Sequence, residues 1–171
     1  MFRYVMIAVA ALSLAACHGK LPGRGPQASP SVEAAAAKAF LATNAKEPGV
    51  VTLPDGLQYK IVSSGPATGA KPHLGDEVKV NYEGKLTNGK VFDSSYERGQ
   101  PAALPLKGLV KAWQEIIPMM RPGDVWMLYV PPELGYGDEG AGNGDIPGGA
   151  ALIFKIELID FLPGPGSVEQ G

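Results

Sequence analysis

The 171 residues contain only 1 Cys and 2 His. Cys17, His18 and His73 cannot supply the several ligands at fixed spacing that a zinc site of the Cys/His kind needs, and one Cys excludes an intrachain disulfide. No GxSxG elbow occurs, and His73 is the single candidate base in the body of the chain, which leaves almost no room for a Ser/His/Asp triad. Long basic runs are missing too: 15 Lys+Arg face 17 Asp+Glu for a formal net charge of −2, so nucleic acid is not an expected partner. The segment Gly135-Tyr136-Gly137-Asp138-Glu139-Gly140 fits GxGxxG, but more glycines and Ile146-Pro147 follow where a dinucleotide site needs a helix. Asp138, Glu139 and Asp145 are too few and too irregular for an EF-hand. No cofactor and no metal is expected.

The chain is rich in turn formers, with 23 Gly and 16 Pro, and 45% of it is hydrophobic. That much apolar side chain can offset chain entropy, so one folded domain of short strands and many turns is expected. Residues 1–16 read as a signal peptide: Arg3 is a small positive start, Tyr4 to Leu14 is uncharged and apolar, and small residues precede Cys17. Leu14-Ala15-Ala16-Cys17 resembles the bacterial lipobox, which implies cleavage before Cys17 and lipidation of its thiol. His18 follows in place of the Asp that marks inner-membrane retention in many such lipoproteins. The resemblance therefore implies a membrane anchor through lipid on Cys17, in the periplasm and held to the outer membrane.

Residues 17–31, rich in Gly, Pro and Ser, are expected to form a flexible tether. Ser31 is the expected cap of an Ala-rich helix, which with its connector occupies 32–49. Its few large apolar groups, Val32, Phe40 and Leu41, predict weak packing on the main domain or a partner. Too little of it is apolar for a lasting dimer interface, so a monomer is expected, with this helix frayed or docked on its own domain.

From Leu57 the hydrophobic period becomes two. Leu57 to Val62 and Glu77 to Glu83 alternate, with Val78, Val80 and Tyr82 on one face. Asn88-Gly89 predicts a tight hairpin in which both residues take positive φ. Leu109, Val110, Trp113, Ile116 and Ile117 recur at helical spacing before Pro118. Val125 to Val130 and Ala151 to Ile159 are further strands, the second with Leu152, Phe154, Ile156 and Leu158 inward and Ile153, Lys155 and Glu157 outward. Val125, Met127 and Tyr129 are expected to face outward, where they would suit a partner. Residues 163–171 read as a disordered tail. The expected fold class is α+β, a twisted antiparallel β-sheet wrapped around one short α-helix.

Five motifs stand in one order: Val80-Asn81-Tyr82-Glu83-Gly84, Gly89-Lys90-Val91-Phe92-Asp93-Ser94-Ser95, Val110-Lys111-Ala112-Trp113, Leu134-Gly135-Tyr136-Gly137 and Ile146-Pro147. Together they resemble the FKBP-type peptidyl-prolyl cis/trans isomerases, over about residues 50–162. Phe40-Leu41-Ala42 and Gly56-Leu57-Gln58-Tyr59 look like the approach to the catalytic domain in the macrophage infectivity potentiator group of exported bacterial members. The resemblance implies an FKBP-like half-barrel, an isomerase domain at 50–162, and proline-containing polypeptides as substrates; macrolide inhibitors are a further implied ligand class.

It also implies a pocket walled by Tyr82, Phe92, Val110, Tyr136, Ile146 and Phe154 with Trp113 at its floor. Catalysis would fall to Tyr82, Phe92, Asp93, Trp113, Tyr136 and Phe154, and substrate binding to Val110, Ile146 and Arg98. In that scheme the Ile146 backbone N–H and the Tyr136 hydroxyl donate to substrate carbonyls, while Asp93 faces the carbonyl next to proline. Arg98 is expected to pair with Asp93 or Tyr82 and fix their orientation. Bland alternatives stand beside these roles: Asp93 as an Asx-turn bonded to nearby amides, Arg98 as an exposed loop cation, and the aromatics as core. The chain departs from the small cytosolic members in a shorter segment from Pro101 to Trp113, in Ala102 where those often carry Phe, in a Gly-rich loop from Gly137 to Gly149, and in Asp145 before Ile146 where an apolar residue is common. A non-catalytic holdase or interaction module using the same pocket is the alternative function.

Overall fold

The computed structural model describes residues 29–164. The signal peptide, Cys17, most of the tether and the tail beyond residue 164 lie outside the described residues.

The first element is α1 (Pro30–Asn44), and it starts earlier than expected. Proline is tolerated at the first helical position because its missing N–H would go unpaired there anyway. Ser29, not Ser31, takes the cap position; its hydroxyl meets that of Ser31 at 3.0 Å and caps no backbone N–H.

Seven strands follow among the described residues: β1 (Val50–Thr52), β2 (Gln58–Ser63), β3 (Glu77–Leu86), β4 (Val91–Ser94), β5 (Ala102–Pro105), β6 (Val125–Val130) and β7 (Leu152–Leu162). A short helix, α2 (Lys111–Ile116), sits between β5 and β6. All pairings are antiparallel, in the order β1-β2-β6-β7-β3-β4, and β5 also pairs with β3. The long β3 is thus the spine: β7 runs along one side of it, while β5 takes the first half of its other side and β4 the second.

Alternation explains which face is buried. Val78, Val80, Tyr82 and Leu86 of β3 point to one side with Leu128 and Val130 of β6 and Leu152, Phe154, Ile156 and Leu158 of β7. Against them pack Trp113, Ile116 and Ile117 from α2 and the turn after it. The expected inward face of β7 is therefore observed, but Ile153 on its other face is buried as well.

α1 accounts for part of that second buried face. Phe40 lies 6.2 Å from the Tyr129 ring, the buried Asn44 donates from Nδ2 to Gln58 Oε1 at 2.8 Å, and Gln58 Nε2 donates to the Leu41 carbonyl at 2.9 Å. The helix is docked on its own sheet, and polar contacts do much of the holding. Val125, Met127 and Tyr129 are half-buried rather than an open apolar face, Tyr129 lying against Phe40. Ile61 and Val62, by contrast, are exposed at 48% and 56%, so the alternation read from Leu57 onward does not keep them inside.

Two local readings need correction. Gly89 has φ 87°, but Asn88 does not share it, because the only non-Gly residue with positive φ among those described is Asn143. The Gly89 N–H closes on the Leu86 carbonyl at 2.9 Å and the Lys90 N–H on Asn88 Oδ1 at 2.9 Å, making a three-residue loop with one left-handed glycine. Leu109 and Val110 are extended and α2 begins after them; Pro118 lies within a 3-10 turn, Ile117–Met119, that continues the helix.

Candidate active site

A cavity of about 460 Å³ opens where the start of α2 faces the aromatic end of the sheet. Tyr82, Phe92, Asp93, Val110, Trp113, Tyr136, Ile146 and Phe154 all line it, so eight residues expected to share a pocket do so. Leu104, Gly108, Leu109, Ala141, Gly142 and Asp145 complete the wall without having been expected there.

The aromatic floor is a chain of edge-to-face rings. Trp113, 4% exposed, meets Tyr82 at 5.2 Å and Phe154 at 5.4 Å, and Phe154 meets Phe92 at 5.7 Å, all within a few degrees of perpendicular. Each such pair contributes about 0.5–1.5 kcal/mol beyond area burial, so the floor is rigid as well as apolar. Gly84 makes the last pair fit: a Cβ there would stand 2.6 Å from Phe92 and 2.8 Å from Phe154.

One polar cluster borders the rings. The Tyr82 hydroxyl donates to Asp93 Oδ2 at 2.5 Å, and Arg98 donates to Asp93 Oδ1 through one nitrogen and to the Tyr82 hydroxyl through the other at 2.8 Å. The Asp93 oxygens are thus taken by side chains, whereas backbone capping in this turn falls to Ser94, whose Oγ accepts from the Glu97 N–H at 3.3 Å. Arg98 is about half exposed and does not line the cavity, yet it is more than a loose loop cation, since it orients both partners. Buried Ser95 fixes the Tyr82 backbone from below, its Oγ accepting the Tyr82 N–H at 2.8 Å. Burial raises the Tyr82 pKa above its ordinary 10.0, and the bond to Asp93 adds to this; burial and the charge of Asp93 raise Tyr136 in the same way. Both phenols therefore stay protonated donors at neutral pH.

The expected backbone donor is not the one the structure offers. The Ile146 N–H is already bonded to the Ala141 carbonyl at 3.1 Å, and the Ala141 N–H returns to Ile146 at 3.0 Å. A hairpin closed on itself has no donor to spare. Val110 differs: it stands just before the first turn of α2, lines the cavity, and its N–H has no partner among the described residues. Unpaired N–H groups at a helix start are the rule, because no carbonyl precedes them in the helix. The Tyr136 hydroxyl, in a residue 38% exposed, likewise makes no hydrogen bond to a described residue.

Among the described residues no group of three or more His, Cys, Asp or Glu side chains is placed to hold a metal ion. What the arrangement can do is enclose a small apolar ring and offer a few donors to the carbonyls on either side of it.

Residues 68–159 match the family described as "FKBP-type peptidyl-prolyl cis-trans isomerase". The chain belongs to the FKBP-type peptidyl-prolyl cis-trans isomerases. Residues 23–61 of this FKBP-type chain match a further family, "Domain amino terminal to FKBP-type peptidyl-prolyl isomerase". "Peptidyl-prolyl cis-trans isomerase Mip" of Coxiella burnetii is 57% identical over 122 residues, which are 71% of this chain and 52% of that protein. "Outer membrane protein MIP" of Legionella longbeachae is 46% identical over 121 residues, 71% of this chain and 51% of that one. The chain thus spans about half the length of these relatives. Among solved structures, FkpA from Escherichia coli superposes with TM-score 0.74 at 39% identity, covering 80% of this chain and 62% of that one. A peptidyl-prolyl cis-trans isomerase from Pseudomonas syringae pv. tomato superposes with TM-score 0.73 at 34% identity, covering 81% of this chain and 100% of that one. The α+β half-sheet expected of an FKBP-type chain is the fold observed.

Proposed function

We propose that this protein catalyses cis/trans isomerisation of X–Pro peptide bonds in exported polypeptides, with the Trp113-floored cavity as its active site. The supporting observation is the pairing of an apolar, aromatic-walled cavity with a lining backbone donor, Val110 N–H, that has no partner among the described residues. Rotation about a peptide bond faces a barrier of roughly 18–20 kcal/mol because twisting destroys amide resonance. The twisted amide is less dipolar than the planar one, so a water-poor cavity disfavours the ground state relative to the transition state. Every ~1.4 kcal/mol so gained is a tenfold rate increase.

In this reading proline rests on Trp113 between Tyr82, Phe92 and Phe154. The Val110 N–H and the Tyr136 hydroxyl hold the flanking carbonyls, which fixes one side of the bond while the other turns. Asp93, held by Tyr82 and Arg98, faces the carbonyl before proline. No bond is made or broken, so neither nucleophile nor proton carrier is required. X–Pro bonds suit such a site because their cis form costs only about 0.5–1 kcal/mol, and unaided exchange takes tens of seconds or longer.

Residues 50–162 form the isomerase unit in this proposal, carried as a monomer behind α1 and a tether from lipid on Cys17, in the periplasm at the outer membrane. The name of the Legionella longbeachae relative and the lipobox-like Leu14-Ala15-Ala16-Cys17 support that placement. No helix among the described residues is long and apolar enough to cross a membrane. A protease-coupled assay on X–Pro peptides tests the activity: rapid conversion is expected, and suppression of aggregation without conversion would favour a holdase instead. Cys17→Ser tests the anchor, and a variant still in the membrane fraction would refute it.

A further inference from the structure

The charge at the mouth of the cavity is uneven. Residues 137–149, which supply part of its wall, carry Asp138, Glu139 and Asp145 and no Lys, Arg or His. The cavity-lining residues with charge are Asp93 and Asp145, both acidic. Asp93 is committed to Tyr82 and Arg98. Asp145 instead meets a cation from across the mouth: Lys90, next to the β3–β4 turn, reaches its Oδ1 at 3.2 Å. Both side chains of this pair are more than half exposed, at 52% and 60%. An ion pair in such water-rich surroundings is weak and exchanges readily with another cation of similar reach.

The reacting bond joins proline to the residue before it. With proline on the ring floor, the residues flanking it pass over the rim, and Asp145 is an exposed acidic side chain lining that rim. We propose that Asp145 is a specificity-determining residue: it favours substrates with Lys or Arg immediately before proline, and Lys90 is a resident competitor for the same carboxylate. This rests on the isomerase reading above. A cationic side chain displaces the Lys90 ammonium and keeps Asp145 paired, a neutral one gains nothing there, and an acidic one meets the negative loop.

The test compares kcat/KM of the full chain for three chromogenic tetrapeptides with Lys, Leu or Glu before proline. A protease-free assay keeps protease preference out of the ratios. At low ionic strength the order Lys, Leu, Glu is expected, with the Lys:Glu ratio shrinking as salt screens the rim. Asp145→Asn should lower that ratio about two- to fivefold, the range for an exposed pair, and Lys90→Met should raise it by a similar factor. A Lys:Glu ratio equal in the native chain and Asp145→Asn at low salt overturns the inference. Should Asp145→Asn not fold, Lys90→Met decides alone, and a ratio it does not raise overturns the inference equally. Failure of the native chain to convert any of the three peptides overturns the isomerase reading itself, and this inference with it.

Discussion

Gly84→Ala is a one-carbon perturbation aimed at the floor of the cavity. The new Cβ would stand 2.6 and 2.7 Å from Phe92 ring carbons and 2.8 Å from one of Phe154. Carbon atoms settle at about 3.5–4.0 Å, so a ring must retreat by roughly 1 Å. Phe154 is buried at 3% exposure and wedged between Trp113 and Phe92, whereas Phe92 is only half-buried, so Phe92 is the ring that moves. Overpacking of this kind costs about 1–3 kcal/mol. Because Gly84 lacks a positive φ, alanine also restrains the unfolded chain and returns about 0.4–1 kcal/mol. The steric cost wins, for a net loss of about 1–2 kcal/mol and a Tm lower by about 3–10 °C. Displacing a substrate-contacting wall by ~1 Å should reduce kcat/KM by more than the folded fraction alone explains, on the order of tenfold or greater. Thermal unfolding and the peptide assay measure the two effects separately. Adding Phe92→Leu should recover the stability and leave the activity low. A Gly84→Ala protein with native Tm and native kcat/KM would refute the claim that two rings close over a bare backbone.

Asp93→Ala removes the carboxylate that both Arg98 and the Tyr82 hydroxyl donate to, leaving only the Arg98–Tyr82 bond, so kcat/KM should fall about 10- to 100-fold. Its Tm should move little, because an exposed pair contributes only about 0.2–1 kcal/mol; a stability loss that accounts for the whole activity loss would make Asp93 structural. Tyr136→Phe should cost only a few-fold in kcat/KM with Tm unchanged, since its hydroxyl bonds no described residue. Tyr82 binds its proton more tightly folded than unfolded, so its contribution to stability is complete below pH 10 and is lost as pH rises through its raised value. Tm should therefore be insensitive to this group from pH 7 to 9 and decline above about 10, less steeply in Tyr82→Phe; tyrosinate absorbance that rises before Tm falls would contradict this. Gln58→Ala takes the acceptor from the buried Asn44 amide and one of two donors from the Leu41 carbonyl, which keeps the Ala45 N–H, at about 1–3 kcal/mol. Hydrogen exchange should then speed up across α1 while β3 and β7 keep their protection.

The elements legible from sequence were those with enough residues to show a period. β3 alternates for ten residues and β7 from Leu152 to Leu158, long enough that one face must be apolar if the strand is half-buried. Asn88-Gly89 marks its own turn, and the motifs carrying Tyr82, Phe92, Trp113, Tyr136 and Ile146 pointed to one pocket, which the fold assembles. β1 and β5, with three and four residues, carry no readable period and exist because β2 and β3 offer them an edge. Other features were decided by segments distant in the chain. The loop sequence leaves Arg98 between orienting Asp93 or Tyr82 and standing free as a loop cation, and β3 and β4 decide for the first by bringing Tyr82 to Asp93. Whether Val110 or Ile146 has a donor to spare depends on what else each N–H can reach: Ala141 takes one and nothing described takes the other. Local pattern determines which faces are apolar and where the chain turns; the partner of a buried or rim polar group is set only when remote strands are brought together, because hydrogen bonds and ion pairs act over a few ångströms of space.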